Sequence, residues 1–333
     1  MKKILSLIMA AVLVLSFAAC GNQPEKEVSS VPEIKYAETN VYVLSGPTGI
    51  GAANLKSKAD EGKTDVKYNI TVVAQPDEVV SKISNGEADI AAIATNLAAK
   101  LYNKTNAGIT VLAVNTLGVL NVVTPAGVEV TSLADLKGKK VYATGQGSNP
   151  EYIINHLFEM NNIDKEKDLT LEYKAEGTEL LSVWATDPQA VIIAPQPVAT
   201  SLTIQHERAK IAIDLTDEWE NGDTDSSLMM GCVVVRNEFL KNNKATVDKF
   251  LQDYKASIEE ANNNIETTSA LCESYGIVAK AAIAKKAIPN CNVCFIKGTE
   301  MKVKLSGYLT VLFKADKTAV GGKKPADDFY YAG

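Results

Sequence analysis

Histidine is nearly absent: His156 and His206 are the only two. Neither lies beside a serine or cysteine nucleophile signature, and Gly-x-Ser-x-Gly does not occur, so no catalytic residue is assigned and no enzyme is expected. Neither histidine sits near Cys291-x-x-Cys294 or at ligand spacing from the other, so no metal site or cofactor is expected. Aromatic residues make up only 6%, with Trp184 and Trp219 the two tryptophans, which disfavours a carbohydrate stacked on rings. Basic residues number 34 against 40 acidic, for a net charge of −6, and they form no patch; nucleic acid is therefore not an expected partner. Short internal repeats are also missing.

Two further absences define the most suggestive stretch, Leu44-Ser45-Gly46-Pro47-Thr48-Gly49-Ile50-Gly51-Ala52-Ala53-Asn54-Leu55. An apolar strand pattern enters it and a helical pattern leaves it. Such a turn aims backbone N–H groups past the strand end. Gly46 and Gly51 have P-loop spacing, but Ala52-Ala53 stand where Lys-Ser/Thr must be. Gly49 and Gly51 begin a dinucleotide fingerprint that Asn54 fails to complete. The stretch is suited to a small polar solute, not a nucleotide.

What is present is a regular alternation of strands and helices. Tyr42–Leu44, Tyr68–Val73, Ala88–Ile93 and Ile109–Val114 read as strands, with helices after Lys56, Pro76 and Thr95. A second series follows: strands at Lys140–Ala143, Leu169–Tyr173, Ala190–Ile193 and Ile211–Ile213, and helices over 148–160, 176–185 and 198–208. The apolar run Leu228–Val235 is long enough to cross back, and the rest reads as mostly helical. The expected class is α/β with parallel sheets: two lobes joined by two crossover segments, with hinges near Val122-Val123 and Met230-Gly231.

The N-terminus has a separate logic. Met1-Lys2-Lys3 precedes an apolar run from Ile4 to Ala19, the pattern of an export signal. Phe17-Ala18-Ala19-Cys20-Gly21 resembles a bacterial lipobox, with Cys20 the residue to be lipidated. Loss of Lys2 and Lys3 with the leader takes the net charge from −6 to −8. Residues 20–37, polar and containing Pro24 and Pro32, read as a tether. The expected organisation is 1–19 signal peptide, 20–37 tether, 38–122 first part of lobe 1, 123–230 lobe 2 and 231–333 second part of lobe 1.

An exported two-lobe chain of this order resembles the type II class of periplasmic binding proteins. More narrowly it is similar to the nitrate/sulfonate/taurine and thiamine-precursor group of ABC-importer substrate-binding lipoproteins. The resemblance is carried by Leu44–Gly49, by Asn85-Gly86-Glu87-Ala88-Asp89-Ile90-Ala91, by Ser132-Leu133-Ala134-Asp135-Leu136-Lys137-Gly138-Lys139-Lys140-Val141, and by Gln189–Pro197. In the last stretch Gln196 stands where the family often has an acid. The resemblance implies a small organic ligand held by lobe closure, and delivery to an ABC permease and its ATPase. It also implies a monomer held on the extracytoplasmic face of the cell membrane by its lipid anchor alone. The rivals are a ligand-sensing surface lipoprotein and an enzyme built on the same fold.

Strand-end loops supply the candidate ligand contacts. In lobe 1 these are Ser45, Gly46, Pro47, Thr48 and Gly49, with Thr95 and Asn96; in lobe 2 they are Gln146, Gly147, Ser148, Asn149 and Gln196. Trp184 is included for its place beside such a loop. None of these loops carries lysine or arginine, so the expected ligand is neutral, zwitterionic or weakly anionic. Outside the membrane a disulfide is permitted, and Cys272 with Cys291 or Cys294 is the pairing to test; buried free thiols are the alternative.

Overall fold

The apolar runs form the strands of two mixed sheets in a computed structural model that describes residues 34–222 and 226–333. The expected leader, Cys20 and the tether up to residue 33 lie outside the described residues. The segment Tyr36–Gly333 forms one compact unit. Its chain is pinned from the start, since the Ala37 N–H donates to Thr246 Oγ1 at 2.9 Å.

The strands in chain order are β1 (Thr39–Leu44), β2 (Tyr68–Val73), β3 (Ile90–Ala94), β4 (Ile109–Thr116), β5 (Leu120–Thr124), β6 (Lys140–Thr144), β7 (Thr170–Lys174), β8 (Val191–Pro195), β9 (Lys210–Asp214), β10 (Gly231–Arg236) and β11 (Val293–Ile296). One sheet runs β11-β4-β10-β3-β1-β2 and the other β7-β6-β8-β5-β9. β4 is buried at every position, as a strand covered on both faces must be.

The sheets are mixed rather than parallel throughout. β1 is parallel to β2 and β3, but β10 runs antiparallel to both β3 and β4. In the second sheet β6 is parallel to β7 and β8, and β5 runs antiparallel to β8 and β9. The reversed strands are those entered from the other sheet. The passage from β4 to β5 takes only residues 117–119, so the expected boundary at 122/123 falls inside β5. The apolar run Leu228–Val235 becomes a strand only from Gly231; residues 226–230 are the described part of the return passage.

Helices cover the sheet faces. The expected single helix over 176–185 is instead two short ones, Gly177–Leu180 and Val183–Thr186, which let Leu180, Val183 and Trp184 all reach one apolar cluster with Val123, Ile192 and Leu202. The long helix Gly298–Ala315 buries Met301, Leu305, Tyr308, Leu309 and Leu312. These join a core that also holds Val111 and Val114 of the first sheet and Ile153, Leu157 and Trp219 from the second-sheet side. That helix therefore packs on both halves, with Tyr308 edge-on to Trp219 at 5.7 Å between ring centroids.

Candidate functional site

Topology brings two sheet edges face to face. β10 is antiparallel to both its neighbours, so β4 points the same way as β3 and β1. The carboxyl end of β4 thus lies on the carboxyl edge of the first sheet. After three intervening residues the chain enters β5 at Leu120, paired with Pro195 at the carboxyl end of β8. The return passage leads to Gly231, paired with Ala94 at the carboxyl end of β3. Both connections therefore join carboxyl edge to carboxyl edge, where open α/β sheets bind ligands. Cross-links at the seam include Gln196 N–H to Val119 O at 2.9 Å and Thr95 N–H to Met230 O at 3.0 Å.

The loop Ser45–Gly49 sits on this seam, but its backbone is largely occupied. Ser45 N–H donates to Val73 O, Gly46 N–H to Ile277 O and Gly49 N–H to Gly46 O. Thr48 O accepts from Asn115 Nδ2 at 3.0 Å, which also donates to Tyr254 Oη at 2.8 Å. The expectation of a row of bare N–H groups is thereby corrected for Ser45, Gly46 and Gly49, while Pro47 has none to give. Ser45, Pro47 and Thr48 remain half-buried.

Thr95 and Asn96 follow β3 and are buried. Ala94, not Thr95, occupies the cap position, and the Thr95 hydroxyl donates to Met229 O at 2.6 Å. Thr95 thus ties the helix start to the return passage. Across the seam, Gln146 and Gly147 are exposed, Ser148 caps the helix Asn149–Met160 by position, and its hydroxyl donates to Gly145 O at 2.7 Å. The Glu151 carboxylate reaches back to accept from Gly147 N–H at 2.6 Å, one residue earlier than a capping box with Ser148 requires.

Three adjacent strands end in polar atoms that have no protein partner among the described residues. They are the Tyr173 hydroxyl in β7, both amide atoms of Asn149 after β6, and Gln196 Nε2 after β8. Asn149 is 4% exposed and Gln196 2%. The Gln196 oxygen is committed, accepting from Thr200 Oγ1 at 2.7 Å and Thr200 N–H at 3.3 Å, so the amide NH₂ is what it offers. A buried group left unpaired costs about 1–3 kcal/mol. A solute that pairs with all three would recover much of that. Tyr173 was not singled out from sequence; its alternation with Leu171 on the core-facing side of β7 was the available signal. Burial first, and then the negative charge of Glu151, push the Tyr173 phenol ionisation upward.

Trp184 does not belong to this edge. Its indole N–H donates to Ala190 O at 2.8 Å, before the first residue of β8, whereas Gln196 follows the last. It lines a separate hollow of about 490 Å³ with Pro125, His206 and Arg208. A cavity of about 1020 Å³ runs between the Asn149 helix and the long helix Gly298–Ala315, meeting the candidate loops at Gly147.

The expected disulfide is not formed: Cys272, Cys291 and Cys294 are free thiols, as is Cys232. Cys272 lies on the helix Ile265–Ser274, while Cys294 is on β11 with its thiol turned to Val114 O at 3.9 Å. Burial pushes the Cys272 and Cys294 thiols up to about 12, so they stay protonated at neutral pH.

Two sheets joined edge to edge in this way define a periplasmic-binding-protein fold, and solved structures agree. A protein described as an ABC transporter from Parabacteroides distasonis is 23% identical, with a TM-score of 0.75 over 88% of this chain and 98% of that one. The periplasmic aliphatic sulphonate binding protein SsuA of Escherichia coli is 12% identical, with a TM-score of 0.69 over 88% and 90%. A Candida albicans gene product described as having the generic periplasmic binding protein fold is 15% identical, with a TM-score of 0.55 over 88% and 93%. No curated protein matches in sequence. A family model described as NMT1/THI5 like matches residues 59–267, and the chain belongs to that family.

Proposed function

We propose that this protein is the solute receptor of an ABC importer: it holds one small organic molecule between the carboxyl edges of its two sheets and hands it to a membrane permease. The observation that carries this reading is the row of unpaired buried polar groups on three adjacent strand ends, Tyr173, Asn149 and Gln196. Ser45, Thr48, Asn96 and Gln146 would complete the site from the surrounding loops. A lipid on Cys20 would hold the protein at the membrane surface, and the tether would let it reach the permease. Among the described residues no helix is long and apolar enough to cross a membrane. Binding occurs without turnover in this reading.

Native mass spectrometry of gently purified full-length protein tests the proposal. A stoichiometric small molecule is expected, and its removal should lower the melting temperature, as loss of any ligand specific to the folded state must. If no co-purified molecule is found and no compound in a broad metabolite panel raises the melting temperature, the receptor reading fails.

A further inference from the structure

Resting on that reading, we propose that Glu151 is a charge filter: its carboxylate occupies the anion position at the start of the Asn149 helix, so the site refuses anionic solutes and takes uncharged or zwitterionic ones. An N-terminus of a twelve-residue helix is a ready anion site, with a partial positive charge of about +0.5. Here the chain brings its own carboxylate to that end: Glu151 stands in the first turn, and its Oε2 is held there by the N–H of Gly147, the residue before the cap, at 2.6 Å. The helix opens with Asn149, which is 4% exposed with both amide atoms unpaired, so a buried polar group that lacks a partner stands at this helix end.

The surrounding charges point the same way. The Tyr152 hydroxyl lies between Gly147 O, at 3.4 Å, and Asp316 Oδ2, at 3.3 Å, which brings a second carboxylate to the Gly147 loop from the other side of the seam. Lys174, at the end of β7, is turned to the opposite face of the sheet: it pairs with Glu172 at 2.5 Å and rests on the Tyr142 ring at 4.9 Å. The candidate loops bring no basic residue of their own. The cavity that opens at Gly147 is lined by the carboxylates of Glu151, Glu159, Asp164, Glu166 and Asp316 against two lysines, Lys165 and Lys314, so an anion there would meet an excess of like charge, and like-charge juxtaposition is a strong discriminator. Gln196 fits the same rule, because its free amide nitrogen donates without adding charge.

Glu151→Gln tests this directly. Glutamine keeps an oxygen to accept the Gly147 N–H, so the loop stays in place and only the charge is lost. Calorimetric titration of the full-length protein with ethanesulfonate should show weak or no binding in the native form. In the variant the dissociation constant should fall on the order of tenfold, the reach of one charge at a helix end. Glu151→Ala, which removes cap and charge together, should gain affinity as well. Equal affinity of native and Glu151→Gln protein for ethanesulfonate overturns the filter. So does a co-purified solute with a net negative charge, and that result would leave the receptor reading standing. A native protein that binds no solute at all would remove the receptor and the filter together.

Discussion

At the scale of single residues, the glycine-rich loop reads differently from its sequence. Gly46 lies at φ 82°, ψ −158°, a region essentially closed to other residues. Gly49 is needed for a separate reason: a Cβ there would stand 2.3 Å from the Leu44 carbonyl oxygen. Gly49→Ala is therefore expected to lose about 1–3 kcal/mol of stability in urea denaturation, solute or no solute. A Gly49 variant that kept native stability would refute the contact. The same crowding makes Gly49→Asp a poor probe of solute contact, whereas Ser45→Ala and Thr48→Ala are sound ones. The stretch Asn85–Ala91 likewise resolves into structure. Asp89 accepts from Asn40 N–H at 2.9 Å and pairs with Arg236 Nη2 at 2.9 Å, joining β1, β3 and β10. The thiols carry a pH prediction. Cys272 and Cys294 ionise near 12 when folded, against about 8.5 when unfolded. The unfolded chain therefore holds fewer protons between these values. Stability from this source is fully present below about pH 8.5 and declines as pH rises toward 12. Alkaline melting curves should show that decline. Alkylation under denaturing, non-reducing conditions should modify all four described cysteines, and two unmodified residues would betray a disulfide.

At the scale of elements, the helix Gly298–Ala315 does more than its place in the chain suggests. The expected lobe division assigns it to the first sheet, yet its buried face shares one core with Leu157 and Trp219 from the second. Leu305→Ala should cost about 2–5 kcal/mol, as other buried leucine truncations do. Because the core is continuous, both sheets should still unfold in one transition, with tryptophan fluorescence and far-ultraviolet circular dichroism giving the same midpoint. Two separated midpoints would show that the halves unfold independently. Elements with a strong period were legible from sequence: β2 spans Tyr68–Val73 as expected, and Val79 and Ile83 face inward on their helix. β5 and β11 were not legible. Asn121 interrupts the apolar run in one, and the other is four residues long, so neither carries a period. The reversed direction of β10 and β5 was also hidden, since a strand's orientation is set by where the chain has come from. The site divides in the same way. Asn149 and Gln196 were readable as strand-end residues, whereas Tyr173 and Glu151 act through the pairing of β7 with β6 and through a hydrogen bond to a neighbouring loop.

At the scale of the whole molecule, the two passages between the sheets meet at Gly118. A Cβ on that residue would stand 2.2 Å from Thr216 Oγ1 and 2.9 Å from Leu228 Cδ1 on the return passage. Gly118 O also accepts from Asn292 Nδ2 at 2.6 Å, and Leu117 N–H donates to Asn292 O at 3.1 Å, which fastens the first passage to the chain before β11. If the sheets close on a solute by bending at these passages, and closure draws the passages together, the contact at Gly118 tightens on closing. A methyl group there would oppose closure by about 1–3 kcal/mol, the usual range for overpacking. Gly118→Ala is then expected to weaken binding of the co-purified solute on the order of tenfold, because each 1.4 kcal/mol is a factor of ten. The solute-free protein, free to open and relieve the contact, should lose less stability than the solute-bound protein does. Thermal melts of native and variant protein, each with and without solute, separate the two cases. Equal destabilisation in both states would mean that the contact at Gly118 persists throughout and that the passages do not hinge there.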